Sequence, residues 1–183
     1  MRFKDRICLI TGAGSGIGRA TCVRMGREGG RVLVINRSEN HGIETVAMIE
    51  KANGTAIFAK ADVGNPADIR SAIDAAVSKW GRIDVLVNNA AMMTFKPVVD
   101  LTLEDWDKVL AVNLRSVFLF CKYAIPHMSP GSAIVNVSSV HAHQTTPNVS
   151  PYVASKGGME AFSRALALEC EPRKIRVNCV APG

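Results

Sequence analysis

Aromatic residues and clusters of like charge are scarce in this sequence. Only 5% of its 183 residues are aromatic, and its 22 Lys and Arg residues are scattered among 16 Asp and Glu residues, for a formal net charge of +6. Nucleic-acid-binding surfaces typically concentrate their cations in one patch or stripe. We interpret the surplus here as a solvated surface with a mild basic bias, and we expect no nucleic-acid partner.

Long apolar segments are absent as well. The apolar run Ile7–Ile10 follows a charged N-terminus and is far too short for the core of a signal peptide. No later apolar run approaches the roughly 20 residues that a membrane-spanning helix needs. We therefore expect a cytoplasmic protein with no membrane partner.

Cysteine pairing motifs are also missing. The five cysteines are odd in number and include no C-x-x-C pair, so we expect reduced core residues and no disulfide framework or zinc site. With 48% hydrophobic and 21% charged residues, the composition is that of a globular chain long enough to bury one sizeable core.

Short β-branched runs alternate with longer helical patterns. Strands are predicted at Ile7–Thr11, Arg31–Ile35, Thr55–Ala59, Ile83–Val87, Ala133–Val137 and Ile175–Val180. Helices are predicted at Ile17–Glu28, His41–Ala52, Pro66–Lys79, Leu103–Ala124 and Tyr152–Glu169. Nearly continuous apolar strands are typical of a parallel sheet covered on both faces. The pattern predicts an α/β fold, a doubly wound parallel sheet in three α/β/α layers, within one domain over residues 1–183.

A glycine-rich turn follows the first predicted strand and leads into the first helix. Four glycines fall within the seven residues 12–18, which a merely tight turn does not require. Glycines let the backbone approach a pyrophosphate, and the free N–H groups of the helix N-terminus bind its charge. We predict that this turn binds a dinucleotide through Gly12, Ser15, Gly16, Ile17 and Gly18.

The spacing of these glycines, Gly12-x3-Gly16-x-Gly18 after Thr11, resembles the T-G-x-x-x-G-x-G turn of the short-chain dehydrogenase/reductase family. That resemblance implies a Rossmann-type fold and a nicotinamide cofactor. It also directs attention to the residues that follow each later strand, since ligands of such sheets bind beyond the carboxyl ends of the strands.

The second predicted strand is followed by Asn36 and Arg37. Enzymes selective for NAD usually place a carboxylate here to bind the adenosine ribose. Asn36 removes that carboxylate, and Arg37 offers a guanidinium where the 2′-phosphate of NADP would lie. We favour NADP(H); in the alternative, Arg37 is simply solvated, Asn36 still bonds the ribose, and the cofactor is NAD(H).

Three further segments are similar to cofactor-contacting positions of the family. Asp62 and Val63 follow the third strand and resemble its adenine-contacting pair, although a helix-capping Asp with a packed Val is the alternative. Asn89 lies in Asn88-Asn89-Ala90-Ala91, similar to the family's N-N-A-G motif, where Ala91 would be strained if its φ were positive. Pro182 and Gly183 resemble the start of the stretch that contacts the nicotinamide.

A candidate catalytic group consists of Ser139, Tyr152 and Lys156. Helical i, i+4 spacing puts the phenol of Tyr152 and the ammonium of Lys156 on one face. An ammonium favours ionisation of a phenol whose ordinary pKa is about 10, which would let Tyr152 exchange a proton with a substrate oxygen. Ser139 could hold that oxygen by a hydrogen bond. Taken alone, a Tyr-x3-Lys pair is more often an ordinary surface pair.

The spacing from Ser139 to Tyr152 and Lys156 matches the S…Y-x-x-x-K signature of the same family, which implies that Tyr152 and Lys156 also contact the cofactor. The resemblance also implies a role for Asn113, because the family's matching asparagine disturbs its helix and holds a water that relays protons to the lysine. From the residue alone, Asn113 would be an ordinary satisfied or solvent-facing side chain. The resemblance extends from Ile7 to Gly183.

The segment of residues 140–147 should line the substrate pocket. Its two histidines, His141 and His143, could suggest a metal, but no carboxylate lies nearby in the sequence, and we predict no metal site. The polar character of this segment favours a hydroxylated substrate over a purely apolar one.

The presence of Asn113, Ser139, Tyr152 and Lys156 together favours an oxidoreductase acting on a small alcohol or carbonyl substrate. The alternative is a dinucleotide-binding module without turnover, because the chain stops at Gly183 where members of the family continue with a segment that covers the substrate. We expect that such a segment is missing and that the full-length protein, like its relatives, is a homodimer or homotetramer.

Overall fold

The computed structural model describes all residues from Met1 to Gly183 and contains one sheet of six parallel strands. The strands are β1 (Ile7–Thr11), β2 (Arg31–Asn36), β3 (Thr55–Lys60), β4 (Ile83–Asn88), β5 (Met128–Val137) and β6 (Arg176–Val180). Their spatial order is β3-β2-β1-β4-β5-β6, and every neighbouring pair is parallel. The predicted doubly wound Rossmann-type fold is confirmed.

Helices connect the strands. They are α1 (Gly16–Arg27), α2 (Glu39–Lys51), α3 (Pro66–Trp80), α4 (Leu103–Leu110), α5 (Ser116–Ala124) and α6 (Ser150–Cys170). Boundaries differ from the predicted ones by one or two residues at most helices. The largest strand difference is in β5, which begins at Met128 because the chain already pairs with Ile83 there, ahead of a register shift.

Both faces of the sheet are buried. In β1, Ile7 and Leu9 belong to a core cluster of 24 residues, whereas Cys8 and Ile10 belong to a second cluster of 11 residues. Successive side chains of a strand point to opposite faces, so this alternation places one cluster on each side of the sheet. Four of the five cysteines are buried as expected, Cys179 is partly exposed, and none is in a disulfide.

The predicted helix Leu103–Ala124 is found, but it is not a regular α-helix throughout. A π turn, Ala111–Arg115, separates α4 from α5. The continuous helical stretch Leu103–His127 is long and apolar enough to cross a membrane by length and composition, with a mean hydropathy of 1.4 in its most apolar window. Its residues Phe120 and Ala124 are fully buried in the larger cluster, as in the core helix of a globular domain.

The strand order reverses between β1 and β4, which are neighbours in space although β2 and β3 lie between them in sequence. The connections leaving these two strands run to opposite faces of the sheet and leave a crevice at its carboxyl edge. The glycine turn after β1 and the Asn89 segment after β4 both lie at this crevice.

Candidate active site

The glycine turn forms a backbone cradle at the start of α1. Gly12 and Gly16 have positive φ angles of 62° and 51°, a left-handed conformation that glycine adopts without strain. A Cβ atom on Gly18 would overlap the carbonyl oxygen of Gly12, and one on Gly14 would overlap the Asn36 side chain. Glycine is therefore required for α1 to pack this closely on β1 and β2.

A cleft of about 980 Å³ opens beside this cradle. It is lined by Gly12, Ser15, Gly16, Ile17, Asn36, Arg37, Ala61, Asp62, Val63, Gly64, Asn65, Asn89, Ala90, Ala91, Met92, Lys108, Ala111 and Val112. All the predicted cofactor-binding residues that follow β1 to β4 line it, with the exception of Gly18, which packs beneath the turn.

The remaining predicted cofactor residues lie outside the lining of this cleft. Tyr152 and Lys156 are on α6. Pro182 follows β6, and its carbonyl accepts a hydrogen bond from Val140 N at 3.1 Å, so it contacts the turn after Ser139. Gly183 lies beside the Val140 side chain. These four therefore belong to the region around Ser139.

Arg37 and Asn36 lie at the end of the cleft farthest along β2. The Arg37 guanidinium is 79% exposed and lies 4.0 Å from the Asp62 carboxylate. The amide of Asn36 donates to Ser38 O at 2.9 Å, and its oxygen has no protein donor. Arg37 is thus held only by a weak, solvent-exposed ion pair and is free to turn to an anionic ligand.

Asp62 does not cap a helix. The N-cap of α3 is Asn65, whose side chain accepts from Ala67 N at 3.0 Å. Asp62 instead accepts from Gly64 N at 2.8 Å and fixes the turn after β3. The alternative for this pair was a helix-capping Asp62 and a packed Val63. Only its second part is correct, because Val63 belongs to the larger core cluster.

Asn89 fastens the end of β4 to the glycine turn. Its side-chain amide donates to Thr11 O at 3.0 Å and Gly12 O at 3.3 Å, and the Thr11 hydroxyl accepts from the backbone N–H groups of Asn89 and Ala90. Ala91 is not among the residues with positive φ, so the possible strain at this position does not arise.

Lys156 is the most unusual side chain of the site. It is 2% exposed, and its Nζ donates to Val137 O at 2.6 Å, with no carboxylate within 4.0 Å. The same Nζ lies 5.5 Å from the centre of the Tyr152 ring. Burial lowers the pKa of Lys156 to about 8, because the charged form loses hydration; the nearby Cys179 acts in the opposite, minor direction.

Ser139 and Tyr152 are linked through His141. The Ser139 hydroxyl oxygen accepts from His141 N at 3.2 Å, and the His141 ring meets the Tyr152 ring edge-on, with centres 5.9 Å apart. Ser139 is 7% exposed, whereas Tyr152 is half-buried. No protein group accepts the Ser139 hydroxyl proton or bonds the Tyr152 phenol.

Asn113 lies in the π turn and is fully buried. Its oxygen accepts from Met92 N and its amide donates to Met92 O, both at 2.8 Å, and the amide also donates to Ser155 Oγ at 3.0 Å. Ser155 in turn donates to Tyr152 O at 2.6 Å. Asn113 thus ties the loop after β4 to the first turns of α6.

Sequence reasoning missed Glu160 and the other residues that line the cleft, which are Ala61, Gly64, Asn65, Ala90, Ala91, Met92, Lys108, Ala111 and Val112. Ala111 and Val112 line the cleft from the π turn, and Lys108 lines it from α4; their signal was their position immediately before Asn113. Glu160 was missed as the partner of His143, whose Nε2 lies 2.8 Å from its carboxylate. Glu160 is distant in sequence, and its only signal was the helical spacing from Tyr152 and Lys156.

Comparison with known proteins agrees with this geometry. The short chain dehydrogenase family matches residues 6–183. A cyclopentanol dehydrogenase from Comamonas sp. is 39% identical over all of this chain and 74% of its own length, and a 3beta-hydroxysteroid dehydrogenase from Mediterraneibacter gnavus is 39% identical over 99% of this chain and 66% of its own. A solved short-chain dehydrogenase/reductase from Serratia marcescens superposes with a TM-score of 0.98 at 32% identity, over 100% of this chain and 76% of that one.

The matched relatives are named for the oxidation or reduction of alcohols and carbonyls, which supports an oxidoreductase that uses a nicotinamide cofactor. The family match over nearly the whole chain joins the sheet order, the glycine cradle and the α6 pair in one conclusion: the chain belongs to the short-chain dehydrogenase/reductase family.

Proposed function

We propose that this protein is an NADP(H)-dependent oxidoreductase in which Tyr152 is the general acid/base, and that residues 1–183 form one domain carrying both the cofactor cleft and the catalytic group. The observation that carries the catalytic assignment is the position of Lys156, a buried ammonium 5.5 Å from the Tyr152 ring and hydrogen-bonded to the carbonyl two residues before Ser139.

The residues of the cleft fit a dinucleotide. The glycines let the turn and α1 pack closely on their neighbours, which leaves the N-terminus of α1 beside the cleft, and the cleft extends from there to the Asn36–Arg37 end of β2. Pro182 and Gly183 are the proposed contacts near the nicotinamide, together with Tyr152 and Lys156. A bound nicotinamide supplies hydride transfer to or from the substrate carbon, and the chain's own residues supply the rest.

Tyr152 exchanges a proton with the substrate oxygen. A phenol is a poor base near neutral pH, and a buried ammonium beside it favours the phenolate through charge attraction in a weakly hydrated setting. The phenol is free for this exchange because no protein group holds it. In this mechanism Lys156 supplies the positive charge beside the Tyr152 ring, and its hydrogen bond to Val137 O holds the ammonium there.

Ser139 and Asn113 complete the group. The Ser139 hydroxyl accepts from His141 N and keeps its own proton to donate to the substrate oxygen, which holds that oxygen for reaction. Both N–H groups of the Asn113 amide are used by Met92 and Ser155, so its side chain fixes the geometry of α6.

NADP(H) is proposed over NAD(H) because no carboxylate ends β2 and the Arg37 guanidinium lines the cleft there. The substrate is proposed to be a secondary alcohol or its ketone, because cyclopentanol and the 3beta-hydroxysteroids for which two relatives are named are both secondary alcohols. Free cysteines fit a cytoplasmic setting. Exposed Phe118 on α5 and Leu168 on α6 offer apolar surface for a homodimer or homotetramer.

The test is the Tyr152→Phe variant, which removes the phenol oxygen and keeps the ring. Oxidation of NADPH is followed with a panel of ketones that includes cyclopentanone, a 3-ketosteroid and a hydroxyketone. Turnover should fall by about 10²–10⁴-fold, the usual contribution of a positioned acid/base. The dissociation constant for NADPH should stay close to that of the wild type. Undiminished turnover in this variant would contradict the assignment.

A further inference from the structure

One carboxylate near the catalytic group has no role in the proposed chemistry. Glu160 accepts a hydrogen bond from Ser138 Oγ at 2.7 Å through Oε1, and Nε2 of His143 lies 2.8 Å from Oε2. Its side chain is only 12% exposed, and no Lys or Arg lies within 4.0 Å. A carboxylate this buried needs partners for both oxygens, and these two residues provide them.

The two partners lie at opposite ends of the turn that contains Ser139. Ser138 directly precedes Ser139, is 3% exposed, and donates its backbone N–H to Val180 O at 2.7 Å. His143 follows the short helical turn Val140–Ala142. Glu160 therefore joins both ends of this turn to α6.

The position of Glu160 on α6 gives this contact its importance. Glu160 lies four residues after Lys156 and eight after Tyr152, so all three side chains share one face of the helix. Ser139 and His141 come from the turn, whereas Tyr152 and Lys156 come from the helix. The distance between Ser139 and the Tyr152–Lys156 pair therefore depends on the contacts that hold the turn against α6.

We propose that Glu160 is a positioning residue, which fastens the turn carrying Ser139 to the helix carrying Tyr152 and Lys156 through Ser138 and His143. The proposal rests on the proposed roles of those three residues. The two contacts are unequal: the Ser138 contact is part-buried, whereas the His143 side chain is 71% exposed and contributes less.

The experiment compares Glu160→Ala, Glu160→Gln and His143→Ala in the purified protein. Glu160→Ala should lower kcat for ketone reduction by about 10-fold, since small displacements of catalytic groups are costly, and leave the NADPH dissociation constant unchanged. Glu160→Gln should restore most of kcat, because its amide can still accept from Ser138 and meet His143. His143→Ala should lower kcat by about 2-fold.

Hydrogen exchange gives a readout that does not depend on turnover. The backbone N–H groups of residues 140–144 bond within the turn or to Pro182, and they should exchange faster in Glu160→Ala and, to a smaller extent, in His143→Ala. The amides of α2, which packs on β2 and β3 at the edge of the sheet opposite β6, should keep their wild-type rates.

Two outcomes would overturn the proposal. One is a Glu160→Ala protein with wild-type kcat and wild-type exchange in the turn. The other applies if Glu160→Ala does not fold. The exposed His143→Ala variant then decides, and wild-type kcat together with wild-type exchange in that variant contradicts the proposal. Failure of the proposed function is recognised separately, as full turnover in Tyr152→Phe, while the exchange rates still report on Glu160.

Discussion

Buried charges are compensated differently at the two ends of the strands, called here the amino edge and the carboxyl edge of the sheet. At the amino edge, Asp84 is 4% exposed and accepts from Arg6 at 3.1 Å, from Arg82 at 3.0 Å and from Ile7 N at 2.8 Å. At the carboxyl edge, Lys156 is 2% exposed and meets only a neutral carbonyl. One buried charge is fully compensated, and the other has no counter-ion.

This difference separates the structural edge from the functional one. A compensated buried carboxylate joins β1 to β4 and stabilises the fold. An uncompensated ammonium destabilises the fold, as expected where a group is held for chemistry. The carboxyl edge also contains a buried polar atom without a hydrogen bond, Asn88 Oδ1, at the last residue of β4.

Replacing Lys156 with methionine tests this contrast most strongly. Turnover should fall by at least about 10²-fold, because the proposed acid/base Tyr152 loses the positive charge that lies 5.5 Å from its ring. Stability should change in the opposite direction. At pH 7 the free energy of unfolding should rise by about 1 kcal/mol, since a buried charge is removed, in part offset by the unpaired Val137 carbonyl.

The pH dependence gives the sign of the effect. The pKa of Lys156 falls from 10.5 to about 8 on folding, so between these values the unfolded chain binds more protons and wild-type stability rises with pH. The advantage of Lys156→Met should therefore be largest below pH 8 and shrink toward pH 10.5. Urea unfolding at pH 7 and pH 10 measures it, and an advantage that grows with pH would show that the lysine is not buried as a cation.

At the amino ends of the strands, Asp84→Ala should destabilise the fold by about 3 kcal/mol. The substitution removes the carboxylate that accepts from two charged guanidinium groups and one backbone N–H. Asp84→Asn is the matched variant: it keeps the shape and one acceptor oxygen, and about half of the loss should remain. Thermal and urea unfolding measure both. Cofactor affinity and kcat at low temperature should match the wild type, and a catalytic defect in the folded variants would contradict the division between the edges.

Much of the fold could be predicted because apolar runs and glycines act locally. β1 is found where the sequence predicts it, since Ile7 to Thr11 are apolar or β-branched and end at the glycine turn. The π turn at Asn113 could not be predicted from hydrophobic periodicity, because the residues around it are as apolar as those of a regular α-helix. It depends on a tertiary contact, the pair of hydrogen bonds to the Met92 backbone.

The site residues also differ in how far they could be predicted from the sequence. Residues next to a strand end, such as Arg37 and Asn89, were predictable because strand ends in a parallel sheet converge. Glu160 was not, because its contacts to Ser138 and His143 span 22 and 17 positions and depend on how α6 lies against β5. The same packing gives Lys156 its low pKa, which no spacing rule reveals.

Arg37→Ala has the smallest expected effect and addresses the outer end of the carboxyl edge. The dissociation constant for NADPH should rise by about 10-fold, the size of one hydrogen bond to a charged group, while that for NADH stays within about 2-fold. Stability should not change, because the ion pair with Asp62 is long and exposed. Fluorescence titration with the two cofactors measures the difference.

The matched control is Arg27→Ala, which removes the same charge from the exposed last turn of α1, away from the cleft. If Arg37 acts through the net charge of the protein, both variants should weaken NADPH binding alike and lose the effect in high salt. If it acts by contact with the 2′-phosphate, only Arg37→Ala should do so. Equal losses for NADPH and NADH in Arg37→Ala would contradict contact with the 2′-phosphate. No loss for either cofactor would support the alternative in which Asn36 bonds the ribose and Arg37 is solvated.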